Sequence, residues 1–282
     1  MNPRVRRVTV LGHQVRVSVR PGTGPGPPLV ICNGIGASLD LLDPFVDAVD
    51  PRIEVVRFDV PGTGGSPTPR LPYNFPLLAC LLVRLLDQLG YDQFDILGIS
   101  WGGGLAQQVA FQHPRRCRRL VLVSTATGAL MIPANPWVLG KMVTPRRYRD
   151  PDYATSVAAQ LYGGRMRAEP DLARTLLHQH LRVGSGRGYL LQLLAGAGWT
   201  SLPALPFLRQ PTLILAGSDD PIIPLANARI MARLLPDATL HVYDDGHLGL
   251  LTQAHELAPL ITDFLLNHTT GEHREHDHAT TA

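Results

Sequence analysis

Long apolar runs are missing from this chain. None approaches the roughly 18 residues that a membrane-spanning helix needs, so no transmembrane segment is expected. The opening Met1-Asn2-Pro3-Arg4-Val5-Arg6-Arg7 lacks the apolar core of a secretory signal, which points to a cytoplasmic protein. Cysteine is scarce. Cys32, Cys80 and Cys117 are odd in number and far apart, and each sits in an apolar segment, so they read as buried free thiols in a reducing compartment. Lysine is nearly absent: Lys141 is the only one, and the net charge of +3 rests on arginine. The clusters Arg115-Arg116-Arg118-Arg119 and Arg146-Arg147-Arg149 have no interleaved aromatic pattern and no nucleic-acid motif around them. They are expected to be solvated faces, with no nucleic-acid partner.

What is present is alternation. With 282 residues, 45% of them hydrophobic, the chain can build one large domain with a full core. Arg4 to Val10 and Gln14 to Val19 alternate around Gly12 as a hairpin. Strand-like runs follow at Leu29 to Cys32, Ile53 to Asp59, Phe94 to Leu97, Arg119 to Ser124, Thr212 to Ala216 and Thr239 to Tyr243. Helical spacing falls between them at Leu41 to Val49, Phe75 to Leu89, Leu105 to His113, Leu225 to Leu235 and Leu257 to Leu266. Strands alternating with helices predict an α/β fold: a mostly parallel central sheet with helices on both faces. Residues 1–124 and 207–267 form the two parts of that core. Residues 125–206 show no clear strand and read as a helical lid insertion. They carry Trp137, Trp199, Met131, Met142, Met166 and several tyrosines, a content that suits an apolar acyl pocket and equally the insertion's own packing. The polar tail 268–282, with His268, His273, His276 and His278, is expected to be disordered and not a metal site.

The chemistry centres on Gly98-Ile99-Ser100-Trp101-Gly102. A G-x-S-x-G between an apolar strand and a helix places a serine on a tight elbow with its hydroxyl exposed, so Ser100 is the candidate nucleophile. A serine hydroxyl needs a base, and the base needs an orienting acid. Both should follow strands, because chemistry gathers at the carboxyl ends of a parallel sheet. Of 11 histidines, His247 holds such a position, after Thr239 to Tyr243 and the turn Asp244-Asp245-Gly246. The turn after Arg119 to Ser124 has no carboxylate. The one after Thr212 to Ala216 has two, so the acid is Asp219 or Asp220, and spacing does not separate them. Backbone amides of Trp101 and of Ile35, in the turn Asn33-Gly34-Ile35-Gly36-Ala37, are the candidate donors for a tetrahedral oxyanion. No metal or organic cofactor is needed.

Through these residues the chain resembles the α/β-hydrolase fold up to about Leu266. It more specifically resembles the intracellular medium-chain-length poly(3-hydroxyalkanoate) depolymerases. The stretches that carry the likeness are NGIGA (33–37), FDVPGTGGS (58–66), GISWGG (98–103), PRRY (145–148), YGG (162–164), GWTS (198–201), AGSDDPIIPL (216–225) and DDGHL (244–248). The resemblance implies Ser100 as nucleophile, His247 as base and Asp220, the aspartate before the proline, as acid. Ser218 departs from it, standing where a further acidic residue is expected. The implied substrate is a stored polyester, with a storage-granule surface as partner. A small-molecule esterase, lipase or thioesterase, and a non-catalytic ligand-binding receptor, are the other readings of the same fold. A dehalogenase or epoxide hydrolase of this fold would carry an aspartate in place of Ser100.

Overall fold

The computed structural model describes residues 3–148, 150–180 and 185–267. The polar tail therefore lies outside the described residues. The first two strands, β1 (Arg4–Val10) and β2 (His13–Arg20), form a hairpin. Its turn residues Leu11 and Gly12 have φ of 48° and 79°, the geometry that matches strand twist in a two-residue hairpin. Then come β3 (Leu29–Cys32), β4 (Val55–Phe58), β5 (Phe94–Ile99), β6 (Cys117–Val123), β7 (Thr212–Gly217) and β8 (Ala238–Tyr243). They make one eight-stranded sheet in the order β1-β2-β4-β3-β5-β6-β7-β8. Pairing is antiparallel for β1–β2 and β2–β4 and parallel elsewhere.

The connections β3–β4, β4–β5 and β5–β6 contain α1 (Asp43–Ala48), α2 (Phe75–Leu89) and α3 (Trp101–Gln112). Between β6 and β7 lie α4 (Pro136–Met142), α5 (Pro151–Tyr162), α6 (Gly164–Ala168), α7 (Pro170–His180) and α8 (Gly186–Gly196). Helix α9 (Leu225–Leu234) joins β7 to β8, and α10 (Gly249–Thr252) and α11 (Ala254–Asn267) follow. The sheet's two faces separate by residue parity, as pleating requires. Val30, Cys32, Ile96, Leu120, Leu122 and Ile214 pack with α2, α3 and α9. Leu29, Ile31, Leu97, Val121, Val123 and Leu215 pack with α1 and α11. A third cluster joins α4, α5, α6 and α7 to Ala37, Leu41 and Ile222, beyond the strand ends.

Local chemistry sets the ends of these elements. Asn74 caps α2 by accepting from the Leu77 amide, and Gly90 closes it at φ 86°, where a side chain is disfavoured. Helix α3 starts at Trp101, four residues before the expected Leu105. The run Gly102-Gly103-Gly104 masks helical periodicity, and tertiary contacts hold those glycines in the first turn all the same.

Two expectations need correction. Cys32 and Cys117 are buried, but Cys80 is only half-buried on α2. The arginine clusters are not uniformly solvated. Arg116 pairs with Asp87 at 2.6 Å, Arg118 pairs with Asp95, and Arg119 donates to the Leu265 carbonyl. Arg147 is 1% exposed, because the 3-10 turn Pro145–Tyr148 aims one arginine inward while Arg146 pairs with Asp150 at the surface. Among the described residues no helix is long and apolar enough to cross a membrane.

Candidate active site

The elbow explains the pentapeptide. Ser100 joins β5 to α3 at φ 53° and ψ −123°, a backbone state that costs of order 1–3 kcal/mol for a non-glycine residue. Close packing holds it there. A Cβ on Gly102 would stand 2.1 Å from the Cys32 carbonyl oxygen, and one on Gly98 2.5 Å from Gly103 Cα. Hydrogen bonds pin the turn as well: the Ser100 amide donates to the Val123 carbonyl (3.0 Å), and Thr125 Oγ1 donates to the Ser100 carbonyl (2.7 Å).

The loop after β7 separates the two aspartates. Asp220 Oδ2 lies 2.8 Å from His247 Nδ1. Its Oδ1 accepts from the Ile222 and Ile223 amides, each at 2.9 Å, so both rotation and position of the carboxylate are set. Both side chains are almost fully buried, 1% exposed for Asp220 and 5% for His247. Asp219 turns the other way. Its Oδ2 accepts from the Gly164 amide and from Arg167 Nη1, both at 2.8 Å, on the side of α6. The histidine loop is braced in turn. The His247 amide donates to the Tyr162 carbonyl at 2.8 Å, and the two rings stack with centroids 6.5 Å apart. Asp245 accepts from the Gly246 and Arg165 amides and from Thr252 Oγ1.

Ser100 and His247 line one cavity of about 30 Å³, together with Gly34 and Ile35 of the turn after β3. That turn passes close to the elbow, since a Cβ on Gly34 would lie 3.6 Å from Ser100 Cβ. Its Ala37 amide donates to the Gly34 carbonyl and its Gly36 amide to Gln192 Oε1 at 2.7 Å, while Ile35 faces the cavity. Across the serine stands Trp101, first residue of α3. First-turn amides have no carbonyl partner within their own helix, which leaves them available to an anion.

The alpha/beta hydrolase fold family matches residues 27–254. The chain belongs to that family. Over 267 residues this hydrolase is 51% identical to the poly(3-hydroxyalkanoate) depolymerase of Ectopseudomonas oleovorans, covering 93% of each chain. It is 27% identical over 232 residues to 3-oxoadipate enol-lactonase 2 of Acinetobacter baylyi, covering 82% of this chain and 86% of the relative. The crystal structure of the enol-lactonase from Burkholderia xenovorans LB400 superposes with a TM-score of 0.79 at 24% identity, over 92% of this chain and 99% of that one. At that identity the likeness is one of fold.

Several residues of the hydrolase's site escape a reading of the sequence. Gln192, on α8, takes the Gly36 amide on its side chain and the Trp101 indole Nε1–H on its carbonyl (2.9 Å). Asp59, in the FDVPGTGGS stretch, accepts from the Leu39 and Gly65 amides at 2.7 Å and from Arg16 at 3.3 Å, and so ties the turn after β3 to the one after β4. Desolvation raises its pKa above the usual carboxylate value, against the pull of those donors. The aromatic and sulfur residues of the insertion divide between two uses. Met142, Tyr148 and Tyr162 line the cavity, while Met166 packs within the insertion and Trp199 stacks edge-on against Phe75.

Proposed function

We propose that this chain is a poly(3-hydroxyalkanoate) depolymerase working through Ser100, His247 and Asp220. The observation that carries the substrate is the 51% identity over 93% of the chain with an enzyme of that name. The carboxylate–imidazole contact beside the elbow serine supports the residue roles.

His247 Nε2 takes the Ser100 proton as Oγ forms a bond to the ester carbonyl carbon. Negative charge collects on the former carbonyl oxygen, where the Ile35 and Trp101 amides donate to it. Losing one such donor costs roughly 3 kcal/mol of transition-state stabilisation. Asp220 holds Nδ1–H, fixing the tautomer and stabilising the imidazolium. The tetrahedral carbon expels the alcohol, which leaves with the proton from His247. Water then repeats the sequence on the acyl-serine, with His247 taking its proton, and a carboxylic acid is released.

A cavity of about 30 Å³ is far smaller than the roughly 300–1,000 Å³ of an ordinary ligand pocket. A 3-hydroxyacyl unit therefore enters only when the roof shifts, and residues 125–206, which supply Met142, Tyr148 and Tyr162 to the cavity, serve as the lid. Leu130, Ile132, Trp137, Leu139 and Val143 are exposed on the same segment. Exposed apolar side chains on the segment that roofs the site are suited to rest on a polyester granule in the cytoplasm.

The test is hydrolysis of amorphous polyester dispersions with side chains of different length, followed by release of 3-hydroxy acids, with Ser100→Ala as control. The expected result is release by the native chain and a loss on the order of 10⁶-fold for the variant. Turnover of soluble acyl esters alone, with no polymer attack, would refute the polyester assignment and leave a small-molecule esterase.

A further inference from the structure

Arg147 is a buried cation without a carboxylate partner. It reaches the Ser100 cavity from the turn before α5 and is 1% exposed. Its guanidinium carbon lies 4.7 Å from the Tyr148 ring centroid and 5.5 Å from that of Tyr189. Nη1 makes one long contact, 3.5 Å, to the Lys141 carbonyl, and Nε has no hydrogen-bond partner. Among the described residues no Asp or Glu pairs with it. Against desolvation, Tyr148, Tyr162 and Tyr189 raise the pKa of the guanidinium and hold it in its charged form. Burial raises the Tyr162 and Tyr189 phenols too, so these two bring no negative charge at neutral pH. Taking a guanidinium out of water costs several kcal/mol unless an anion compensates. The faces of Tyr148 and Tyr189 offset part of that cost by cation–π attraction, which supplies no counter-charge, and the cation sits in the wall of the cavity that holds Ser100.

We propose that Arg147 is a specificity-determining residue that receives a free carboxylate of the substrate, the carboxyl end of a 3-hydroxyacyl oligoester. With its Nε–H unpartnered, the guanidinium matches a carboxylate in charge and in planar geometry. The hydrolase then counts its cut from the carboxyl terminus and releases short hydroxy acids. This rests on the polyester reading. The released hydroxy acid offers the same carboxylate chemistry, and binds here as a product inhibitor.

The experiment compares kcat/KM for the trimer of 3-hydroxyoctanoic acid as free acid and as methyl ester. The native chain is expected to favour the acid by about 100-fold, the range for a buried charge pair. In Arg147→Gln the acid loses far more than the ester and the ratio falls towards one, whereas Arg147→Lys keeps part of it. No preference in the native chain, or equal losses on both substrates in Arg147→Gln, overturns the proposal. Should Arg147→Gln fail to fold, inhibition of the native chain decides: 3-hydroxyoctanoate must inhibit at far lower concentration than 3-hydroxyoctanamide. The same inhibitor pair, read against p-nitrophenyl octanoate hydrolysis, tests the subsite even if no polyester is attacked, so the two readings fail separately.

Discussion

Replacing Asp220 with Asn changes few atoms and should remove nearly all activity, while the same change at Asp219 should not. At 220 the amide oxygen can still accept from the Ile222 and Ile223 amides, which lie 2.9 Å from Oδ1, so the loop keeps its shape. The group facing His247 Nδ1 at 2.8 Å becomes an NH₂ donor. Two donors cannot share that contact. The ring therefore adopts the tautomer with the proton on Nε2 and cannot accept the Ser100 proton. The imidazolium formed in the transition state also loses its counter-charge in a site where both partners are buried. In the serine-protease triad this exchange costs about 10⁴ in kcat, and the shared contact makes a loss of the same order the expectation here. That corresponds to about 5.4 kcal/mol of barrier. Asp219 spends its carboxylate on the Gly164 amide and on an exposed pair with Arg167. Exposed pairs are worth little, so Asp219→Asn should stay within about threefold of the native rate. The assay is kcat on p-nitrophenyl octanoate, with circular dichroism to verify folding of each variant. A folded Asp220→Asn within tenfold of native, or an Asp219→Asn falling as far as Asp220→Asn, would refute the assignment.

Gln192→Met should strand the buried Gly36 amide, costing about 1–3 kcal/mol in urea unfolding. Because that amide belongs to the turn carrying Ile35, kcat should fall by up to about 100-fold as the donor drifts, and a loss of stability with unchanged kcat would refute the link. Burial pushes the Cys32 and Cys117 thiols well above the ordinary value, so dithionitrobenzoate at pH 8 should titrate at most Cys80 in the folded chain. All three thiols should react after denaturation, and rapid modification of Cys32 in the native state would contradict the packing described here.

Strands β3, β5 and β7 were legible because each is a short, largely apolar run buried on both faces. The elbow was legible because two glycines flank a serine where backbone crowds backbone. The choice between Asp219 and Asp220 came from the resemblance alone and not from spacing. Neighbouring residues in a turn point opposite ways, and the contacts of Asp220 with His247 and with the Ile222 and Ile223 amides show which carboxylate faces inward. The early start of α3 was hidden because its glycines answer to Cys32, Asn33 and Thr125 across the fold, not to helical propensity. PRRY and YGG flag the stretches of Arg147 and Tyr162 through the resemblance, but nothing local told what either side chain does, and Gln192 carried no signal at all. For Gln192 and Tyr162 the meaning comes from partners far along the chain, Gly36 and His247, and for Arg147 from the cavity it enters. In the cluster Arg146-Arg147-Arg149, charge pattern alone gave the wrong environment for Arg147.

Gln192 belongs to α8, yet it grips both flanks of the elbow, the Gly36 amide on one side and the Trp101 indole on the other. Any motion that lifts α8 to admit a polymer chain also releases the two backbone segments proposed to hold the oxyanion. Entry and reactivity are thereby interlocked. On the proposed lid role, seating α8 over a bound chain and setting these two turns are a single event, because the same glutamine holds both.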